Sequence, residues 1–208
     1  MSAEAPEVWV LASHNAGKIR ELNALFADLP IVLHPAAALE LPEPEETGLT
    51  FEANAELKAI AASEAAGLPA LADDSGVEVH ALLGEPGIHT GRWAGDGRDF
   101  DVARRRVQER LEAIGSQASR RATYICVLCV AWPDGRTRTF RGETLGTLVW
   151  PIRGDLGDGF EPMFLPDGYA VTYGEMTAEQ RLRVNARAAA MRKLTESSIC
   201  TAYPRVGT

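Results

Sequence analysis

The chain has 208 residues, 46% of them hydrophobic and 24% charged, with a formal net charge of −8. That length supports one sizeable core, or two small lobes sharing one, in an ordinary globular protein. The acidic balance excludes a general nucleic-acid binder, which needs a basic footprint, yet it leaves room for a small phosphorylated substrate in a local cationic pocket.

Residues 1–7 show no basic stretch followed by an apolar one, so no signal peptide is expected. Residues 8–12 read as a short apolar strand. Ile19, Leu22, Leu25, Phe26 and Leu29 recur at helical spacing and predict an amphipathic helix from about Gly17. A second strand is expected at 31–33, then an acidic, proline-containing loop at 41–48. Thr50 is placed to cap a helix running to about Ala66, closed by Gly67 and Pro69. Strands are expected at 69–73 and 77–83, a glycine-rich loop at 84–99 and a helix over 100–114. Strands at 124–132 and 136–141 flank Pro133-Asp134-Gly135, a hairpin signal. A strand at 145–150, a loop at 151–163, a strand near Phe164 and a last helix over about 177–194 complete the pattern.

The early β-α-β order predicts an α/β fold, and the added hairpin makes its central sheet mixed, with helices flanking it. We expect one domain over residues 1–208, built as two lobes with a cleft between them. The longest apolar run, 124–132, is too short to span a bilayer, so no membrane role is expected. Cys126 and Cys129 lie on that run three residues apart, hence on opposite strand faces, and read as core residues rather than a disulfide or metal pair. Cys200 has no partner near it, and a cytoplasmic location is the default.

Three segments carry the chemistry. Asp73-Asp74-Ser75-Gly76 ends the apolar run 70–72 in two carboxylates, a hydroxyl and a glycine that permits positive φ or a tight turn. Carboxylates suit Mg²⁺, which binds through one or two of them plus substrate phosphates. Read alone, the same four residues also fit a solvated turn. Ser13-His14-Asn15-Ala16-Gly17-Lys18 lies where the first strand meets the first helix. Helix-end amides and the Lys18 charge face an anion there, although the Walker A spacing is absent. The acidic loop supplies Glu43, Glu45 and Glu46, which complete a magnesium site if the loop folds over Asp73 and Asp74. Later, Gly157-Asp158-Gly159-Phe160-Glu161-Pro162 offers an aromatic ring that either stacks on a base or covers core. Arg181, Arg183 and Arg187 lie on the last helix. His14, His34, His80 and His89 show no metal-ligand spacing.

Taken together and in order, these segments resemble the inosine triphosphate pyrophosphatase family, whose members clear non-standard purine nucleoside triphosphates (the XTP/dITP diphosphatases). The resemblance runs over about 8–194. It rests on Ser13 through Lys18 with Glu21, on Glu45-Glu46-Thr47-Gly48-Leu49-Thr50-Phe51, and on Leu71-Ala72-Asp73-Asp74-Ser75-Gly76. It continues in Pro86-Gly87, Arg92-Trp93-Ala94-Gly95, Pro162-Met163-Phe164-Leu165-Pro166-Asp167-Gly168 and Gly174-Glu175-Met176-Thr177. The resemblance implies a two-lobed homodimer that uses magnesium and water to split the α–β phosphoanhydride, releasing monophosphate and pyrophosphate. By position it makes Asp74 the proton acceptor and a metal ligand, Glu45 the partner ligand, and Asp73 a support of the metal shell. Ser13, His14, Asn15, Ala16, Gly17 and Lys18 would hold the triphosphate, with Ser75, Gly159, Phe160, Glu161, Arg181, Ala186 and Arg187 as further substrate contacts.

The chain departs from the family pattern on the base side. Phe160 stands where a tyrosine is usual, and Glu161 is one methylene longer than the usual aspartate. Arg181 replaces a lysine, keeping charge but not geometry. Asn185-Ala186-Arg187 replaces Ser-His-Arg, so an imidazole has become a methyl group. Ala53 removes a glutamate, with Glu52 displaced by one position, and deletes the capping-box partner of Thr50. His80 stands at a usual aspartate. A site that selects a base by hydrogen bonding depends on such polar groups, so we expect altered base preference. The alternative is a nucleotide-binding protein that keeps the phosphate cradle but has lost efficient turnover.

Overall fold

The computed structural model describes residues 6–197 and 199; Cys200 lies outside them. Its elements are β1 (Glu7–Ala12), α1 (Ala16–Phe26), β2 (Ile31–Pro35), α2 (Phe51–Ala66), β3 (Ala70–Val79), α3 (Phe100–Ile114), β4 (Arg121–Ala131), β5 (Thr137–Leu148), β6 (Phe164–Pro166), α4 (Ala178–Val184) and α5 (Ala186–Glu196). Trp9, Val10 and Leu11 are all buried, which fits a strand covered on both faces. Six strands follow the order β2-β1-β3-β4-β5-β6. β1 pairs in parallel with β2 and β3, whereas β5 and β6 are antiparallel. The α/β class and the mixed sheet are as expected.

The chain forms two compact units. One holds the residues up to Asp74, Val127–Arg141 and those from Ala190, and the other holds Ser75–Cys126 and Gly142–Ala189. Strands β3, β4 and β5 each contribute residues to both. In the first unit Val10, Ala36, Ala62 and Ala70 cluster, and Trp9 meets Phe26 edge-on. In the second, Val107, Leu111, Leu148, Phe160, Phe164 and Tyr173 share a core.

Helix ends follow local chemistry. Asn15 caps α1, its Oδ1 accepting from the Gly17 and Lys18 amides at 2.8 and 3.1 Å. Thr50 caps α2 through the Ala53 amide at 3.1 Å, and Gly67 closes it at φ +65°, a conformation that suits glycine. The side chain lost at Ala53 is not restored by Glu52, which pairs with Arg141 at 2.9 Å.

Three expectations change. The strands expected at 69–73 and 77–83 are one strand, β3, so Gly76 sits in extended backbone rather than in a turn; 80–82 is a short 3₁₀ turn. The strand expected at 145–150 is the end of β5, which runs unbroken from Thr137. The last helix is two. Asn185 is extended (ψ 163°), its amide closes α4 on the Arg181 carbonyl at 2.8 Å, and its Oδ1 caps α5 through the Ala188 amide at 2.8 Å. Asparagine at that point competes for backbone hydrogen bonds, and the helix restarts behind it. The cysteine expectation holds: Cys126 and Cys129 are buried and not joined in a disulfide, and burial pushes Cys129 up to about 12, so it is inert. No helix among the described residues is long and apolar enough to cross a membrane.

Candidate active site

In an extended strand, neighbours point to opposite faces. Asp73 and Asp74 therefore do not share one cation; each meets its own lysine. Asp73, fully buried, pairs with Lys18 at the start of α1. Asp74 accepts from the Lys58 ammonium of α2 at 2.9 Å, and the same ammonium donates to Glu46 of the acidic loop at 2.6 Å. Glu46, Lys58 and Asp74 thus form a carboxylate–ammonium–carboxylate bridge on the first unit.

Burial governs this group. It pushes Asp74 up to about 6 even though Lys58 and Lys18 pull the other way. For Lys58 burial works against the charge, but Asp74 foremost, then Glu46 and Asp73, outweigh it, and the ammonium stays held above its ordinary range. Lys58 escaped the sequence reading. The available signal was its place on the apolar face of α2, in the row with Phe51, Ala55, Ala59 and Ala62, which are all buried; a lysine there needs a partner.

The residues expected to form the phosphate loop lie where β1 gives way to α1. Ser13 is buried, and its Oγ accepts from the Asn15 amide at 3.2 Å. Asn15 spends its Oδ1 on the helix cap, so the Gly17 and Lys18 amides are not both open to an anion. His14 Nδ1 lies 3.7 Å from Glu43. Ala16 and Gly17 form the first turn of α1. Glu45, the expected partner ligand, is exposed on the loop, and its neighbour Glu46 is the residue that reaches Lys58.

In the second unit, Arg187 Nη2 donates to Ser75 Oγ at 3.5 Å. Glu161 accepts from the Asp158 amide at 2.8 Å and lies 3.5 Å from Arg181. Arg181 is not a solvated helix-surface residue. It is buried and donates to the Met176 and Tyr173 carbonyls at 2.6 and 3.3 Å, clamping the entry to α4. Phe160 is 0% exposed, edge-on to Phe100. Its ring is core, which corrects the base-stacking expectation. Gly159 takes φ +61° against Phe100, and Ala186 is buried. Tyr124 is a second residue the sequence reading missed. Burial, then the Glu161 carboxylate, hold its phenol well above its ordinary range, leaving a neutral hydroxyl beside Phe160, Glu161 and Arg187.

A divalent cation fits the first group. Asp74 Oδ2 is buried and has no hydrogen-bond partner, and an orphaned carboxylate oxygen is a hard ligand awaiting a cation. Among the described residues no cluster of three ligating side chains exists.

Residues 9–197 match the Ham1 family, and the chain belongs to it. Among its relatives are proteins named dITP/XTP pyrophosphatase. The one from Brucella melitensis is 54% identical over 83% of this chain and 80% of its own length. The one from Gluconobacter oxydans is 50% identical over 88% and 86%. Among solved structures, a HAM1 protein from Coxiella burnetii superposes with a TM-score of 0.86 at 32% identity, covering 94% of this chain and 99% of that one. A nucleoside-triphosphatase / dITP/XTP pyrophosphatase from Mycobacterium abscessus gives a TM-score of 0.73 at 30% identity, covering 91% and 100%.

Proposed function

We propose that the protein is a magnesium-dependent nucleoside triphosphate pyrophosphatase. It hydrolyses dITP, ITP or XTP-like nucleotides to the monophosphate and pyrophosphate. The relatives' names support the reaction class, and one observation carries the assignment of residues: a buried Asp74 with one oxygen on Lys58 and the other unpartnered.

In this reading Asp74 takes the proton of the attacking water. A carboxylate held near 6 is ionised at neutral pH yet basic enough for that task. Lys18 and Lys58 bring positive charge to the phosphates, where charge develops as the α–β bond breaks and pyrophosphate leaves. Ser13, His14, Asn15, Ala16 and Gly17 frame the same end of α1. Asp74 and the loop carboxylates Glu45 and Glu46 would hold magnesium, which supplies Lewis-acid neutralisation of phosphate charge and a more acidic water. Ser75, Gly159, Glu161, Ala186 and Arg187 are assigned to the nucleoside, with Phe160 and Arg181 shaping that region from beneath. Because the imidazole and tyrosine hydroxyl are missing there, base preference is altered. The working form is a cytoplasmic homodimer, a state that light scattering checks.

The test is pyrophosphate release with magnesium across a panel of inosine, xanthosine, common and modified triphosphates. Asp74→Asn should abolish turnover and leave the fold intact. Wild-type turnover in that variant refutes the assignment, and nucleotide binding without release in the wild type favours the binding-protein alternative.

A further inference from the structure

The carboxylates of the acidic loop sit on a segment with no regular secondary structure between Leu41 and Gly48, so something outside the loop must fix them. The structure supplies one fastening directly. Asn54, in the first turns of α2 and 1% exposed, accepts the Gly48 N–H on its Oδ1 at 2.8 Å. Gly48 lies so close to the helix that an added Cβ would meet Asn54 Oδ1 at 2.5 Å, the Asn54 amide nitrogen at 2.9 Å and Ala53 Cβ at 2.9 Å. The backbone two residues beyond Glu46 is therefore pressed flat on α2 and hydrogen-bonded to it. Asn54 and Lys58 are four residues apart, hence on one helix face. The same face thus holds the loop twice, by its backbone at Gly48 and by the Glu46 carboxylate on Lys58.

Resting on the reading of the acidic loop as part of the magnesium and phosphate site, we propose that Asn54 is a positioning residue. It sets Glu45 and Glu46 in place beside Asp74 through the Gly48 amide. It touches no reacting atom. Without it, one side-chain ion pair must hold a free loop against its conformational entropy, and the loop carboxylates spend less time where a cation needs them. Residues that orient ligands in this way typically matter about 10- to 100-fold in metal affinity or activity.

The experiment compares wild type with Asn54→Leu, which removes the acceptor at similar volume, and with Gly48→Ala, which pushes the loop off from its own side. Two quantities are read. The first is hydrogen exchange over residues 41–50 in the nucleotide-free, metal-free protein. It should quicken at least about tenfold in both variants while β1 and β3 keep their protection. The second is the magnesium concentration for half-maximal pyrophosphate release from dITP. It should rise about 10- to 100-fold with a smaller change in kcat. Asn54→Asp, which keeps an oxygen at the same place, should restore slow exchange over 41–50. If Asn54→Leu loosens α2 and the sheet as well, Gly48→Ala decides alone. An unchanged magnesium requirement in Asn54→Leu and Gly48→Ala overturns the proposal. A Glu45→Gln/Glu46→Gln double variant tells which idea failed: if it raises the requirement, only the positioning role is wrong, and if it too is unaffected, the reading of the loop is wrong and Asn54 falls with it.

Discussion

Replacing Lys58 by methionine removes a buried cation at nearly constant volume, and its cost should depend on pH in a way that identifies the group responsible. In the wild type, Asp74 is pushed from 3.8 to about 6 by burial. A folded-state acid pKa above the unfolded one means the fold binds the proton more tightly. The stability this contributes is present below the unfolded value and is lost as pH rises through about 6, a change of about 3 kcal/mol. Lys58 limits that loss, because its ammonium at 2.9 Å favours the ionised carboxylate. Without it, Asp74 either stays ionised with no counter-charge, a broken buried pair costing about 3–5 kcal/mol, or keeps its proton to higher pH. Below pH ~5 Asp74 is mostly protonated in both proteins, so Lys58→Met forfeits chiefly the contact with the partly exposed Glu46, about 1 kcal/mol. By pH ~8.5 the deficit should reach about 3 kcal/mol. Urea denaturation of the nucleotide-free, metal-free protein at several pH values reads the difference directly. A deficit that is the same at both ends, within about 0.5 kcal/mol, would refute the argument that Asp74 and Lys58 are coupled through burial.

The same carboxylate predicts a pH–rate profile. As the proton acceptor it must be ionised, so kcat/KM should rise about tenfold per pH unit up to about 6 and then level; a flat profile from pH ~5 to ~8 points to another base. Phe160→Ala should cost about 3–5 kcal/mol of stability, because its ring is core, and a fall in Tm is the signature. A variant of native Tm whose only change is a higher nucleotide KM returns Phe160 to base stacking. Chelation with EDTA should abolish pyrophosphate release with little change in Tm, since Lys58 already holds Glu46 and Asp74 in place without a metal; a large drop in Tm would mean a structural metal instead.

Local chemistry by itself determines much of this protein. Apolar period placed α1, and the cap residues Thr50 and Gly67 placed α2, because periodicity and capping are properties of a few consecutive residues. The motif residues around Lys18, Glu46 and Asp74 were likewise visible as runs of chemistry-bearing side chains, and their order carried the family. What the sequence could not supply was pairing. That Asp73 faces Lys18 while Asp74 faces Lys58 follows from strand alternation, but only once β3 is known to run straight through both. Asp-Asp-Ser-Gly has the composition of a turn, and its extension into β3 is a choice made by sheet neighbours rather than by local preference. Phe160 and Arg181 show the same division. Each could have faced a ligand, and the fold instead buried the ring against Phe100 and spent the guanidinium on the Met176 and Tyr173 carbonyls. A side chain's type states what it is able to do. Which neighbour it meets, and whether water reaches it, depends on residues distant in the chain, and only the tertiary structure decides that.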